Sequence, residues 1–161
     1  MNDAAKTQRR ALRDALGCFA TGVGVVTTAT EGGHQMGLTI NSFSSLSLDP
    51  PLILWSLSLD SGLKDHFKVG CPFVINFLTA GQKDLAEKFA TVLEDRFKSI
   101  ALKDGEGEVP IFAENAGHLE CRTEAVHPGG DHAIIVGRVT GFETSDRAPL
   151  LFHKGKFKTL G

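Results

Sequence analysis

Apolar and polar residues alternate along much of this chain, and β-branched residues cluster where they do. The run VGVVTTAT, Val23–Thr30, closes on Glu31-Gly32-Gly33 and predicts a strand followed by a turn. Met36–Asn41 predicts the second arm of that hairpin. Leu52–Leu59 (LILWSLSL) follows Pro50-Pro51 and predicts a strand with a buried first half; Pro72–Leu78 (PFVINFL) predicts another. Leu119–His127 and His132–Thr144 predict two long strands around the turn Pro128-Gly129-Gly130-Asp131. Leu150–His153 and Lys156–Leu160 predict a short closing pair around Gly155. Helical periodicity is rarer. Residues Asn2–Phe19 carry apolar side chains at Ala5, Leu12, Ala15, Leu16 and Phe19, which predicts an amphipathic helix over about residues 4–20, with Gly22 beyond its end. Ser61–Phe67 predicts a short helix. Gly81–Ala90 predicts another, with Leu85 and Phe89 four apart on one face. Lys103–Pro110 (KDGEGEVP) predicts a polar loop.

Many short strands, few helices and no regular β-α alternation predict a mainly β fold with peripheral helices, a closed antiparallel barrel rather than a Rossmann sheet. GVGVV at Gly22–Val26 does not match the dinucleotide fingerprint GxGxxG. A length of 161 residues fits a single domain over residues 1–161 that can bury its own core. The formal net charge of −2 supplies no basic field for nucleic acid or an anionic membrane, so neither is expected as a partner. Cys18, Cys71 and Cys121 are odd in number and widely spaced, which argues against disulfides and for a reducing compartment. The N-terminal segment has no apolar core of a secretory signal, and a cytoplasmic location is expected.

The chemistry concentrates in GLTINSFSSLSLDPP, Gly37–Pro51. Alternate strand residues share a face, so Thr39 and Asn41 point together while Leu38 and Ile40 point the other way. Small polar side chains and free backbone N–H groups suit a planar heteroaromatic ring with carbonyl and ring-nitrogen edges; such groups near a strand end can also hold a phosphate. A serine-rich loop capping its own turns explains the same residues. Ser56 and Ser58 share a strand face. Ser61, near a helix start, is an N-cap or an anion contact. Lys88 is a solvated surface lysine or a phosphate counter-charge. HPGGDH, His127–His132, reads as a hairpin turn, as a histidine at a pocket mouth, or as metal ligands; no third ligand group stands at a recognisable spacing, so no metal is expected. Cys121 lies in a predicted strand as a buried structural thiol. No nucleophile elbow, P-loop or HExxH is present, which favours chemistry carried by a cofactor.

FATGVGVVTT (Phe19–Thr28), GLTINSFSSLSLDPPLIL (Gly37–Leu54), SGLKDHF (Ser61–Phe67), FVINFL (Phe73–Leu78), EKFA (Glu87–Ala90), LEC (Leu119–Cys121), GGDH (Gly129–His132) and APLLFHKGKF (Ala148–Phe157), in this order, resemble the short-chain flavin reductase family. The likeness runs from about residue 10 to the C-terminus. It implies an FMN-binding split β-barrel, usually homodimeric. It also implies reduction of free FMN or FAD with NADH or NADPH, by hydride transfer to flavin N5, often to supply a separate flavin-dependent monooxygenase. Carried onto this sequence, the resemblance implies that Thr39, Ile40, Asn41 and Ser42 line the isoalloxazine. Ser56, Leu57, Ser58 and Ser61 would follow the ribityl chain and phosphate, and Lys88, Phe89 and Ala90 would close the phosphate end. His132 would face the nicotinamide side. Two other readings stand beside this one: a flavoprotein that retains FMN and reduces a metal complex or a cobalamin-type acceptor, and a flavin- or haem-binding module without turnover.

Overall fold

Twelve strands and two α-helices form the regular structure of the computed structural model, which describes residues 3–91 and 95–160. In chain order these are α1 (Asp3–Leu16), β1 (Thr21–Gly22), β2 (Gly24–Ala29), β3 (Gln35–Ile40), β4 (Ser44–Leu48), β5 (Pro51–Ser58), β6 (Pro72–Phe77) and α2 (Lys83–Phe89). There follow β7 (Leu102–Asp104), β8 (Pro110–Phe112), β9 (Gly117–Gly129), β10 (His132–Thr144), β11 (Leu151–His153) and β12 (Lys156–Lys158). Seven strands make one antiparallel sheet in the order β3-β2-β6-β9-β10-β5-β4. Its alternation places Val26, Ile40, Ile53, Trp55, Leu57, Phe73, Ile75, Cys121 and Ile135 in one buried cluster. Side chains from six strands meet there because the sheet curls around them. β3 and β4 are the two edges, and no strand pairing joins them among the described residues, so the barrel is split rather than closed.

The core is aromatic at its centre. Trp55 meets Phe67 edge-to-face at 4.9 Å and Phe73 at 6.0 Å. Cys121 is packed among them, and burial pushes its thiol up to about 12, as expected of a structural thiol. On the outer face of the sheet, Val74 packs with Val109 and Ile111 beneath the β7–β8 ribbon. Asn76 pins that ribbon: its amide donates to the Val25 carbonyl and the Thr27 hydroxyl, and its Oδ1 accepts from the Phe112 amide at 2.8 Å. A second cluster, with Val25, Leu78, Phe89, Phe112 and Leu150, seats α2.

Several boundaries differ from the sequence expectations. Residues 103–110, expected as a loop, supply the inner end of the β7–β8 ribbon, Lys103, Asp104 and Pro110, and the 3-10 turn Glu106–Glu108 that joins its strands. The helix expected over Ser61–Phe67 shrinks to a single 3-10 turn, Lys64–His66. Ser44–Leu48, read as part of a bend, is an edge strand hydrogen-bonded to β5. α1 ends at Gly17, whose amide bonds back to Arg13, rather than near Gly22; Asn2 lies outside the described residues.

His118 of β9 is almost wholly buried, facing Asn76 on one side and Glu143 on the other, and its Nδ1 has no hydrogen-bond partner among the described residues. Burial lowers its pKa below the ordinary histidine value, partly offset by Glu143 and Glu120. The unfolded chain therefore binds more protons than the folded one in the window below about pH 6.5. Stability should be full above that value and fall as the solution is acidified through it. Urea midpoints measured between pH 5 and pH 8 should slope for the natural chain and flatten for His118→Asn; parallel profiles would contradict the assignment.

Candidate functional site

The site is built where β3 ends. Ile40 turns inward to the core, so Asn41 emerges on the opposite side, exposed. The link from β3 to β4 is only residues 41–43, and it spans the split in the barrel. Two contacts hold it. The Ser42 hydroxyl accepts from the Ser56 amide at 3.0 Å and donates to the Ser56 carbonyl at 3.3 Å. Phe43 meets Phe77 of β6 edge-to-face at 5.1 Å.

α2 forms one flank. Gly37 makes this possible: a Cβ there would lie 3.0 Å from the Phe89 ring. The Thr39 hydroxyl donates to the Ala86 carbonyl at 2.7 Å and fixes the helix against β3. Between them runs a groove of about 270 Å³ lined by Thr39, Ile40, Asn41, Ala90, Phe152 and Phe157.

The other flank is the end of α1. The Lys154 amide donates to the Gly17 carbonyl at 2.9 Å, and a Cβ on Gly17 would come within 3.3 Å of the Lys154 Cα. This close approach, tight for any residue larger than glycine, brings α1 beside the β11–β12 turn. The resulting cavity, about 1140 Å³, has Asn41, His132, Thr21, Phe152, Arg13 and Lys154 in its wall. Thr21 lines both this cavity and a smaller one that also reaches Asn41, and its hydroxyl is buried with no hydrogen-bond partner among the described residues. His132 is oriented by its neighbour, with Nδ1 2.7 Å from the Asp131 carboxylate. That hydrogen bond, with the charges of His132 and Arg9, holds the Asp131 carboxyl below the usual carboxylate range. Asp131 is itself fixed, since its carbonyl accepts from the Leu59 amide.

The residues expected from the sequence divide into two groups. Thr39, Ile40, Asn41 and Ala90 share the groove, and Asn41 and His132 share the larger cavity. The others do scaffold work. Ser42 bridges to Ser56. Leu57 is buried in the barrel core and Phe89 in the second cluster. The Ser58 hydroxyl accepts from the Asp60 amide and the Ser61 hydroxyl from the Leu63 amide, the local capping that serine favours. Lys88 donates to the Lys98 carbonyl at 3.2 Å. Ser58 nevertheless lies opposite His132 in the β5–β10 register, so this segment borders the site through its backbone. Thr21, Arg13, Phe152 and Lys154 were not anticipated. Only the fold brings them to Asn41, and no spacing in the sequence marks that approach.

The free groups at the centre are thus an amide, an orphaned hydroxyl and an imidazole, set among aromatic and apolar side chains. They fit a planar, polar-edged ring better than a metal. Among the described residues no cluster of three or more histidine, cysteine, aspartate or glutamate side chains could hold an ion.

Comparison with known proteins agrees with this geometry. The family model described as a flavin reductase like domain matches residues 16–161. A probable flavin reductase of Rhizobium meliloti is 44% identical over 150 residues, covering 93% of this chain and 48% of that protein. The reductase component of a flavin-dependent trigonelline monooxygenase from Acinetobacter baylyi is 39% identical over 150 residues, covering 93% of this chain and 48% of that protein. The chain therefore spans about half the length of these curated relatives. A solved structure of the Streptomyces globisporus NADH:FAD oxidoreductase, in complex with NAD and FAD fragments, superposes with a TM-score of 0.89 at 34% identity, covering 96% of this chain and 94% of that one.

Ser42→Ala would remove both hydrogen bonds to Ser56 and leave two backbone groups to find other partners. A loss of about 1–2 kcal/mol is expected, read as a lower urea midpoint. A midpoint equal to that of the natural chain would show that the split is held by other contacts.

Proposed function

The chain belongs to the flavin reductase-like family, and from that membership we propose that its single domain, residues 1–161, catalyses the NAD(P)H-dependent reduction of FMN or FAD. The observation that carries this reading is the placement of Asn41 and His132 on one cavity, beside the unpartnered Thr21 hydroxyl. A bound flavin would supply a ring that accepts a hydride from reduced nicotinamide. The Asn41 amide and the Thr21 hydroxyl would meet the polar edge of such a ring, and Phe152 and the groove beside α2 would shelter its apolar body. His132, held by Asp131, would face the donor. Holding two rings in contact is the protein's main task, and orientation of this kind supplies roughly 7–11 kcal/mol in favourable cases.

Supply of reduced flavin to a monooxygenase is part of this proposal, by analogy with the Acinetobacter relative. So are a homodimer and a cytoplasmic location. The dimer would bury the stripe Leu12, Leu16 and Phe19, of which Phe19 is 79% exposed, and the edge-strand residue Leu48, which is 95% exposed. Free Cys18, Cys71 and Cys121 fit a reducing compartment.

The direct test is NADH oxidation by the purified chain with and without added FMN or FAD. Consumption should depend on free flavin; tightly coloured protein without turnover would instead mark a binding module. Asn41→Leu should weaken flavin affinity about five- to tenfold, measured by fluorescence quenching, and unchanged affinity would remove Asn41 from the ring contact. In light scattering the chain should behave as a dimer that Leu12→Glu with Leu48→Glu dissociates; a monomeric natural chain would refute the dimer.

A further inference from the structure

Lys154 adopts a backbone conformation that lysine rarely takes. Its φ is +48°, and that of Gly155 is +74°. Two successive positive values make the tight β11–β12 turn, in which asparagine, aspartate or glycine is the usual first residue. Lysine has no conformational reason to stand there. Strain of this sort, where the surroundings hold it, points to a role for the side chain.

The surroundings do hold it. The Lys154 amide is hydrogen-bonded to Gly17, and the Gly17 amide to Arg13 at 2.8 Å, so the turn and the last turn of α1 form one unit. Lys154 and Arg13 line the large cavity on its α1 side, in the same wall set as Asn41 and His132. Neither cation makes an ion pair among the described residues, unlike Arg122 with Glu106, Arg138 with Glu124, Lys83 with Glu87 and Lys6 with Asp3. One carboxylate, Asp14, reaches the same cavity, and the two cations outnumber it. A site that places paired rings near Asn41 and His132 and leaves cations at its edge is suited to a donor with a ring at one end and phosphates at the other.

We propose that Lys154, assisted by Arg13, binds the phosphate groups of the reduced nicotinamide dinucleotide and so sets the preference of this site for nucleotide donors. The proposal rests on the flavin reductase reading of the cavity. It assigns to Lys154 a contact with the donor and none with the flavin.

The backbone strain makes the test sharp. Lys154→Asn places a residue better suited to positive φ at the turn, so thermal stability should hold or rise while the charge is lost. The KM for NADH should increase about tenfold, with kcat nearly unchanged and flavin affinity unaltered. Lys154→Arg should stay close to the natural chain. N-benzyl-1,4-dihydronicotinamide, a hydride donor without phosphate, should react equally well with all three proteins. An equal rise in KM for NADH and NADPH would place the diphosphate on Lys154; a rise confined to NADPH would place the 2′-phosphate there. An unchanged KM for both nucleotides in Lys154→Asn, with the natural chain active, would overturn this inference and leave the functional reading intact. Equal loss with the phosphate-free donor would also overturn it, since the residue would then act on the ring or the flavin. A natural chain that oxidises no nicotinamide donor in the presence of flavin would remove the reading and the inference together.

Discussion

One hydroxyl and one ring contact, Ser42 on Ser56 and Phe43 on Phe77, hold the seam of this barrel. The curled sheet has to enclose Trp55, Phe67 and Phe73, and curling brings its two edge strands, β3 and β4, to the same side. They are consecutive in the chain, so the three-residue link between them crosses the opening. Ser42 satisfies both backbone groups of Ser56 from within that link. With Ser42 turned to β5 and Ile40 turned to the core, Asn41 has one direction left, which is outward. The link that spans the split therefore also presents the one free amide at the site. Apolar collapse and site geometry depend on the same few atoms.

The polar residues around the seam follow the general rule that a buried or half-buried hydroxyl finds a partner. The Thr39 hydroxyl donates a hydrogen bond to α2, the Ser58 and Ser61 hydroxyls accept from nearby amides, and Asn76 satisfies three groups beneath the β7–β8 ribbon. What remains unpartnered is more informative than what is polar. Thr21 is small and unremarkable in sequence, yet it lines two cavities and its buried oxygen has no partner among the described residues. A serine-rich segment thus builds the frame, and a threonine on a two-residue strand supplies a free group.

The strands were legible in the sequence because period-two alternation survives where one sheet face is buried, as in LILWSLSL, and because β-branched residues crowd VGVVTTAT, which is buried on both faces. The β7–β8 ribbon was hidden by KDGEGEVP, whose charges face water while only its last two residues, Val109 and Pro110, are buried. β4 was hidden because an edge strand with exposed Leu46 and Leu48 carries no inward face to reveal it. Asn41 and His132, expected at the site through the family motifs that hold them, line one cavity. The part of Ser42, Leu57 and Phe89 in the frame was not legible, since motif order records that a position matters without recording whether it touches a ligand or holds what does. Arg13 and Lys154 lie 141 positions apart, and only the contact at Gly17 makes them neighbours.

That contact also explains how a helix with no buried residue comes to shape the wall of the cavity that holds Asn41 and His132. α1 meets the sheets through the Lys154 hydrogen bond and the close packing at Gly17, and the charge of Arg9 acts on Asp131. With its apolar stripe uncovered, the wall it contributes would respond to whatever covers that stripe. Anything that buries Leu12 and Leu16 fixes the angle of α1, and with it the separation of Arg13 from Asn41. By linkage, a ligand that favours one width of the cavity must favour the covered state of the stripe by the same free energy. On the proposed dimer, assembly and ligand binding would thus be coupled through the position of α1, which Gly17 ties to the β11–β12 turn.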